Sequence, residues 1–269
     1  MIQIQNATVG YGGPPVSTGI TLEIPENSVT MIVGPNGCGK STALRTLARL
    51  LTPTTGTVLL DGADIRSMKT KELAKRLGLL AQQSSAPDGI RVAELVARGR
   101  YPHQSLLRRW SEEDDHAVAD AMAITGVAEF SALPVDQLSG GQRQRVWIAM
   151  VLAQKTPLLL LDEPTTFLDL AHQLDVLELC RALVEERNRT VVAVVHDLTQ
   201  AARFASHLIV MHEGAVVAAG PPAEVVTPDL ICDVFEVEAK VGLDAETGVP
   251  TVIPLRTLRT TPRAKKSLR

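Results

Sequence analysis

The sequence predicts an α/β protein: a core of buried, mostly parallel strands, with an antiparallel β region at its start and an inserted helical subdomain. Three observations predict it. The continuous apolar runs Val29–Val33, Leu158–Leu161 and Thr190–Val195 have the length and character of strands covered on both faces. Ile2–Val9 alternates apolar and polar residues, as a half-buried strand does. From Gly89 to Gln154 strand character disappears and the pattern reads as mostly helical.

Length and composition narrow the classes. A chain of 269 residues suits one large α/β domain, or a core with a smaller subdomain. Lys and Arg total 27 against 30 Asp and Glu, a formal net charge of −3. That balance disfavours a basic nucleic-acid binder, and an aromatic content of 3% is low for stacking bases, so no nucleic-acid partner is expected. Hydrophobic residues at 45% fill a core and exclude wholesale disorder. No apolar run approaches the roughly 20 residues of a bilayer span. The opening lacks the pattern of a secretory signal. Cys38, Cys180 and Cys232 lie far apart without a CxxC pair, which points away from a disulfide framework or structural zinc and towards a reducing compartment.

The elements follow in order. After the first strand, a second fits Ser17–Ile24, and Val29–Val33 runs straight into a Gly-rich loop. Ala43, Leu44, Leu47, Leu50 and Leu51 then recur at helical spacing. Thr57–Leu60 and Leu77–Ala81 read as short strands around a charged helix near Lys69–Arg76. Ser111-Glu-Glu-Asp114 resembles a capping box with Asp in the usual Glu or Gln place, opening a helix that ends near Gly126. A helix spans roughly Leu170 to Arg187. His207–Met211 and Ala215–Ala219 form a hairpin around Glu213-Gly214. From Pro254 to Arg269 there are four Arg, two Lys and no acid; a frayed, solvated terminus is expected, with contact to anionic lipid as the alternative.

Three motifs carry chemistry. Gly34-Pro35-Asn36-Gly37-Cys38-Gly39-Lys40-Ser41 fits GxxxxGK[ST] between a predicted strand and helix. Glycines let backbone N–H groups close around phosphates, and the helix N-terminus adds positive potential. Lys40 reaches the β/γ-phosphates and the Ser41 hydroxyl ligates Mg²⁺; Thr42 follows on the same turn and is counted with the binding residues. Leu158-Leu-Leu-Leu-Asp162-Glu163 is a buried strand ending in two carboxylates. A parallel strand beside the phosphate loop delivers them to the carboxyl edge of the sheet. Asp162 is then the Mg²⁺ partner, directly or through water, and Glu163 accepts a proton from an attacking water. In Leu138-Ser139-Gly140-Gly141-Gln142, Ser139 and Gln142 form a capping box. A cap gives no reason for two adjacent glycines, which cost helix propensity; a bare helix N-terminus that accepts an anion does.

With these motifs the sequence resembles the ATP-binding cassette (ABC) ATPases, whose signature is LSGGQ, over about residues 1 to 235. The resemblance implies a P-loop NTPase (RecA-like) core over 1–88 and 155–235, a helical subdomain over 89–154, and a C-terminal extension with a basic tail over 236–269. It implies Mg²⁺-dependent ATP hydrolysis by a head-to-tail homodimer, in which Ser139, Gly140, Gly141 and Gln142 touch the γ-phosphate held by the opposite subunit. Tyr11 sits where the family stacks an aromatic on adenine, an ordinary loop tyrosine being the alternative. Gln82 matches the glutamine that touches Mg²⁺ and water; Gln83 follows, so the assignment can slip by one, and Ala81 stands where the family often has Pro. Pro164-Thr-Thr-Phe-Leu-Asp169 resembles the loop whose Asp couples the two sites, and His196 matches the switch histidine on the γ-phosphate. His103, His116, His172, His207 and His212 lack such context and read as structural. Cys38 reads as a tolerated small residue rather than a redox switch.

Arg91, Arg98, Arg100, Arg108 and Arg109 cluster after Gln82. They form a solvated basic face or, in family terms, the surface that receives the coupling helix of a permease. Glu94 to His103 resembles the import ATPases for iron(III)-siderophores, haem and vitamin B12. The expectation is an ATP-hydrolysing importer subunit, peripheral on the cytoplasmic face of the membrane. Its partners are integral membrane permease subunits and, indirectly, an extracytoplasmic substrate-binding protein. The alternatives are a haem, cobalamin or other metal-chelate importer, a soluble ABC ATPase of translation or DNA repair, and an exporter.

Overall fold

The computed structural model describes residues 1–82, 85–104, 110–166 and 168–258. In chain order the elements are β1 (Ile2–Val9), β2 (Ser17–Ile24), β3 (Val29–Val33), α1 (Lys40–Leu47), β4 (Thr55–Leu60), β5 (Ala63–Asp64), α2 (Thr70–Leu73) and β6 (Leu77–Leu80). There follow α3 (Val92–Ala97), α4 (Glu112–Ile124), α5 (Gly140–Ala153), β7 (Leu158–Asp162), α6 (Leu170–Glu185), β8 (Thr190–Val194) and α7 (Leu198–Phe204). The last are β9 (His207–His212), β10 (Ala215–Gly220), α8 (Pro222–Val225), α9 (Pro228–Phe235), β11 (Val237–Leu243) and β12 (Pro250–Thr257).

A six-stranded sheet runs β10-β9-β3-β8-β7-β6, and a four-stranded antiparallel sheet runs β2-β1-β4-β5. In the larger sheet β9, β3, β8, β7 and β6 are mutually parallel and β10 turns back antiparallel. The apolar runs explain themselves by alternation. Val29, Met31 and Val33 face one hydrophobic core while Ile32 faces the other, and Leu159 and Leu161 oppose Leu158 and Leu160 in the same way. A strand covered on both faces has no solvent-facing row of side chains, so its sequence loses the alternation that β1 keeps. One core joins the antiparallel sheet and α1 to the larger sheet; the other joins its opposite face to α5, α6 and α7 and extends into α3 and α4.

Several expectations need correction. The strand ending at Asp162 does deliver its carboxylate to the phosphate loop, where Ser41 bonds it, but within the sheet it is not paired with β3, because β8 pairs with both. The periodic run through Leu51 outlasts its helix: α1 ends at Leu47, Arg49 takes φ 57 and Leu50 is 65% exposed. The charged helix shrinks to the four residues of α2. Pro254–Thr257, expected to fray, lies in β12, whose hairpin with β11 rests on α7 and α9. Arg108 and Arg109, and the tail from 259 onward, lie outside the described residues.

Arg100 is the sharpest correction. Arg91 and Arg98 are exposed, but Arg100 is fully buried. Its Nε donates to Asp114 Oδ1 at 2.7 Å and its Nη1 to the Ala153 carbonyl at 2.9 Å. It therefore ties the turn after α3 to α4 and α5 instead of facing solvent. Burial pushes the Asp114 carboxyl up, but the bonds from Arg100 and Ser111 outweigh it and hold the group below its ordinary range. A carboxylate depressed in the folded state stabilises above its unfolded pKa and loses that contribution as pH falls through the folded one. Arg100→Ala strands a buried carboxylate and should cost about 3 kcal/mol, read by urea unfolding at neutral pH. The deficit should shrink as acid protonates Asp114.

Candidate active site

The chain enters α1 through a loop that turns at three glycines. Gly34, Gly37 and Gly39 take φ 149, 80 and 102, values that L side chains rarely adopt. At Gly34 there is also no room: a Cβ would lie 2.1 Å from the Met211 carbonyl oxygen and 2.8 Å from Cys38 Sγ. At Gly37 nothing stands within 4 Å. The leading N–H groups of a helix have no intrahelical partner. Here they border a cavity of about 440 Å³ lined by Val16, Asn36, Gly37, Gly39, Lys40, Ser41, Thr42, Gln82, Glu163 and His196. Lys40 is buried, its ammonium donating to the Gly34 and Pro35 carbonyls at 2.8 and 2.9 Å. Cys38 turns its side chain away into the core, where burial raises its thiol pKa.

Tyr11 lies beside this cavity rather than in it. Its hydroxyl is 3.3 Å from Thr42 Oγ1 and accepts from Arg45 Nη1 at 3.3 Å, while the residue stays 59% exposed. Ser41 Oγ donates to Asp162 Oδ1 at 2.7 Å. A hydroxyl and a carboxylate side by side next to phosphate-binding amides are the few hard oxygen donors that Mg²⁺ takes from protein, the rest coming from phosphate and water. The donor set fits Mg²⁺. Among the described residues no cluster of three or more His, Cys, Asp or Glu side chains could hold a metal unaided.

Asp162 and Glu163 are neighbours in different settings. Burial raises the Asp162 carboxyl pKa, against the Ser41 bond and the Arg45 charge. Burial also pushes Glu163 up, but the hydrogen bond and charge of His196, with bonds from Gln82 and Thr166, hold it below its ordinary value. His196 Nε2 lies 2.9 Å from Glu163 Oε2. The Glu163 backbone is left-handed, φ 54, an uncommon state for a non-glycine residue that concentrates at functional sites. Its N–H donates to the Val194 carbonyl at 3.2 Å, so β8 supports the turn.

Ser139 caps α5 with the expected box: Gln142 N–H donates to Ser139 Oγ at 3.3 Å, and Ser139 N–H to Gln142 Oε1 at 2.9 Å. These residues do not reach the phosphate-loop cavity. Gly140 lines a second cavity with Ala81, Gln82, Ser85, Arg143, Gln144 and Trp147, so Gln82 borders both. Asp169 also lies away from the first cavity, where it caps α6. Gln83 and Phe167 lie outside the described residues. Sequence reasoning missed Val16, whose plain loop context carries no signal. It also missed Arg45, between Tyr11 and Asp162, and Gln144, which donates to the Pro164 carbonyl at 2.9 Å.

The family model described as ABC transporter matches residues 17–166. The chain belongs to the ABC transporter family. It is 53% identical, over 98% of its length and 96% of the relative's, to the ferric enterobactin transport ATP-binding protein of Escherichia coli (strain K12). It is 46% identical to the iron(3+)-hydroxamate import ATP-binding protein of Bacillus subtilis (strain 168), over 91% of each chain. Among solved structures it is similar to a metal-chelate type ABC transporter in an inward-facing conformation, with TM-score 0.81, 25% identity, and coverage of 95% of this chain and 97% of that one. A dimeric bacterial ABC transporter cassette matches with TM-score 0.73 and 30% identity, covering 82% of this chain and 98% of that one. The mixed α/β fold expected from the sequence is that of these cassettes, and the chain is an ABC ATPase. Among the described residues no helix is long and apolar enough to cross a membrane.

The first two loop glycines should respond differently to a methyl group. Gly34→Ala meets a backbone carbonyl and should destabilise by about 3 kcal/mol. Gly37→Ala meets open space and should cost only the left-handed penalty of about 1 kcal/mol. Denaturant melts of both variants check the difference.

Proposed function

We propose that this chain is the ATP-hydrolysing subunit of an importer that carries an iron(III)-siderophore across the cytoplasmic membrane. The observation that carries the reading is one cavity that joins the N-terminus of α1, Ser41 with Asp162 bonded behind it, and the Glu163–His196 pair. Its cargo follows from relatives named for ferric enterobactin and iron(3+)-hydroxamate, which match over nearly their whole lengths. Integral permease subunits, and indirectly an extracytoplasmic binding protein, are the partners. The chain sits peripherally on the cytoplasmic face.

In this reading the loop amides and Lys40 neutralise the phosphates, Lys40 exchanging its carbonyl partners for phosphate oxygens. Tyr11 stacks on adenine from the cavity's edge. Ser41 and Asp162 hold Mg²⁺, with Gln82 reaching it; the ion, when bound, offsets charge on the phosphate oxygens. Glu163, kept deprotonated by its surroundings, orients water and takes its proton. His196 donates towards the departing γ-phosphate. Ser139, Gly140, Gly141 and Gln142 serve the nucleotide of a second copy, which agrees with their distance from their own chain's cavity. Asp169 couples the two sites. The division into a core over 1–88 and 155–235, a helical subdomain over 89–154 and an extension over 236–269 belongs to the same reading. It is supported by the run of helices without a strand, among the described residues, between Leu80 and Leu158.

Glu163→Gln should bind ATP, lose at least about 100-fold in turnover and accumulate as an ATP-bound dimer on size exclusion. Turnover at the normal rate would remove the base assignment. Cells carrying that variant in place of the normal chain should take up iron-55 siderophore no faster than cells without it. Lys40→Ala should instead weaken ATP binding by ten-fold or more, about 1.4 kcal/mol, in a direct titration.

A further inference from the structure

The loop after Glu163 and the start of α5 are joined by contacts that the scheme above does not use. Asp169 Oδ1 accepts from the His172 N–H at 3.0 Å, an ordinary helix cap, and also from His172 Nδ1 at 2.7 Å. The second bond places a proton on Nδ1 and fixes the plane of the imidazole. The opposite edge of that ring lies over Gly141. A Cβ at Gly141 would stand 2.6 Å from Cδ2, 2.8 Å from Cγ and 3.0 Å from Nε2 of His172. The ring fills the space a side chain at 141 would need. Two more contacts tie α5 to this region: Gln144 Nε2 donates to the Pro164 carbonyl of the loop at 2.9 Å, and Arg145 pairs with Asp175 of α6 at 3.7 Å. The adjacent glycines therefore differ. Gly141 is required by a neighbour in its own chain, whereas Gly140 has nothing within 4 Å and is left bare towards the outside.

We infer that His172 is a positioning residue, clamping the loop that ends in Asp169 to the Ser139–Gln142 turn so that one copy presents both to its partner's nucleotide as a rigid unit. The inference rests on the two-copy reading above. A turn with two adjacent glycines loses much backbone entropy on docking. A ring packed on one side and hydrogen-bonded to a carboxylate on the other removes part of that loss beforehand, which strengthens association without any new contact across the interface. His172 does not line the phosphate-loop cavity, so its effect falls on dimer closure and not on the first binding of ATP.

The test uses the full chain in the Glu163→Gln background, with ATP affinity measured at dilute, monomeric concentration and ATP-driven dimerisation measured by sedimentation. Adding His172→Ala should weaken dimerisation about ten-fold, with monomer ATP affinity unchanged within two-fold and the melting temperature checked in parallel. His172→Phe keeps a ring on Gly141 but loses the bond to Asp169, and should also weaken closure. Gly141→Ala should weaken it more when His172 is present than once His172→Ala has freed the space, a non-additive pair. Dimerisation unaffected by His172→Ala and His172→Phe would overturn the inference, as would an equal loss of monomer ATP affinity or additive effects at 141 and 172. If Glu163→Gln alone fails to dimerise with ATP, the two-copy reading falls, and this inference with it.

Discussion

Gly34 brings the phosphate loop so close to β9 that a Cβ there would lie 2.1 Å from the Met211 carbonyl oxygen. That approach seats the loop on the sheet, and Gly214 N–H secures it by donating to the Cys38 carbonyl at 3.1 Å. Gly214 is itself confined, since a Cβ on it would meet the Val16 carbonyl at 2.2 Å. The β9–β10 turn, the start of β2 and the loop thus interlock through backbone alone. With the loop seated, the N-terminus of α1 comes to the carboxyl edge of the parallel strands, where β7 and β8 also end. Ligands bind at that edge in open α/β sheets because helix N-termini and strand ends converge there.

The two carboxylates at the edge show how little separation is needed for a division of labour. Asp162 is almost fully buried and is raised by that burial, so it retains its charge best beside a cation. Glu163, one residue on, leaves the strand in a left-handed turn, and His196 and two hydrogen-bonding neighbours overcome its burial. Opposed shifts on adjacent groups separate acid–base roles in enzymes generally. The strain of the left-handed turn, on the order of 1–2 kcal/mol, aims Glu163 at His196 instead of letting it continue along β7.

Much of this was legible in the sequence, for reasons that are local. Strands buried on both faces announce themselves by continuous apolar runs, and the GxxxxGK[ST] loop and the Ser139–Gln142 box depend on neighbours within a few residues. What was illegible depends on distant partners. β8 comes between β3 and β7 through crossovers that periodicity does not encode. Arg100 reads like Arg98 until Asp114 and the Ala153 carbonyl are brought to it. His172 read as merely structural because the rest of α5 and all of β7 separate it in the chain from its partner Gly141. The β11–β12 hairpin was hidden by Pro254 and the basic residues near it, which suggest an unpaired end; β12 tolerates them at its exposed face. Leu50 and Leu51 continued a helical spacing that the backbone had already left at Arg49.

The central claim is that each nucleotide is held by the phosphate loop of one copy and the Ser139 turn of the other. Mixed dimers test it directly. In the Glu163→Gln background, one copy carries Lys40→Ala and the other carries a disabling Ser139 variant, so neither alone should retain ATP. Mixed, they assemble one complete site from the intact loop of the second and the intact turn of the first. Retention of about one labelled ATP per mixed dimer is the predicted result; no retention above that of the separate copies, from a mixture proven to form dimers, would contradict the account.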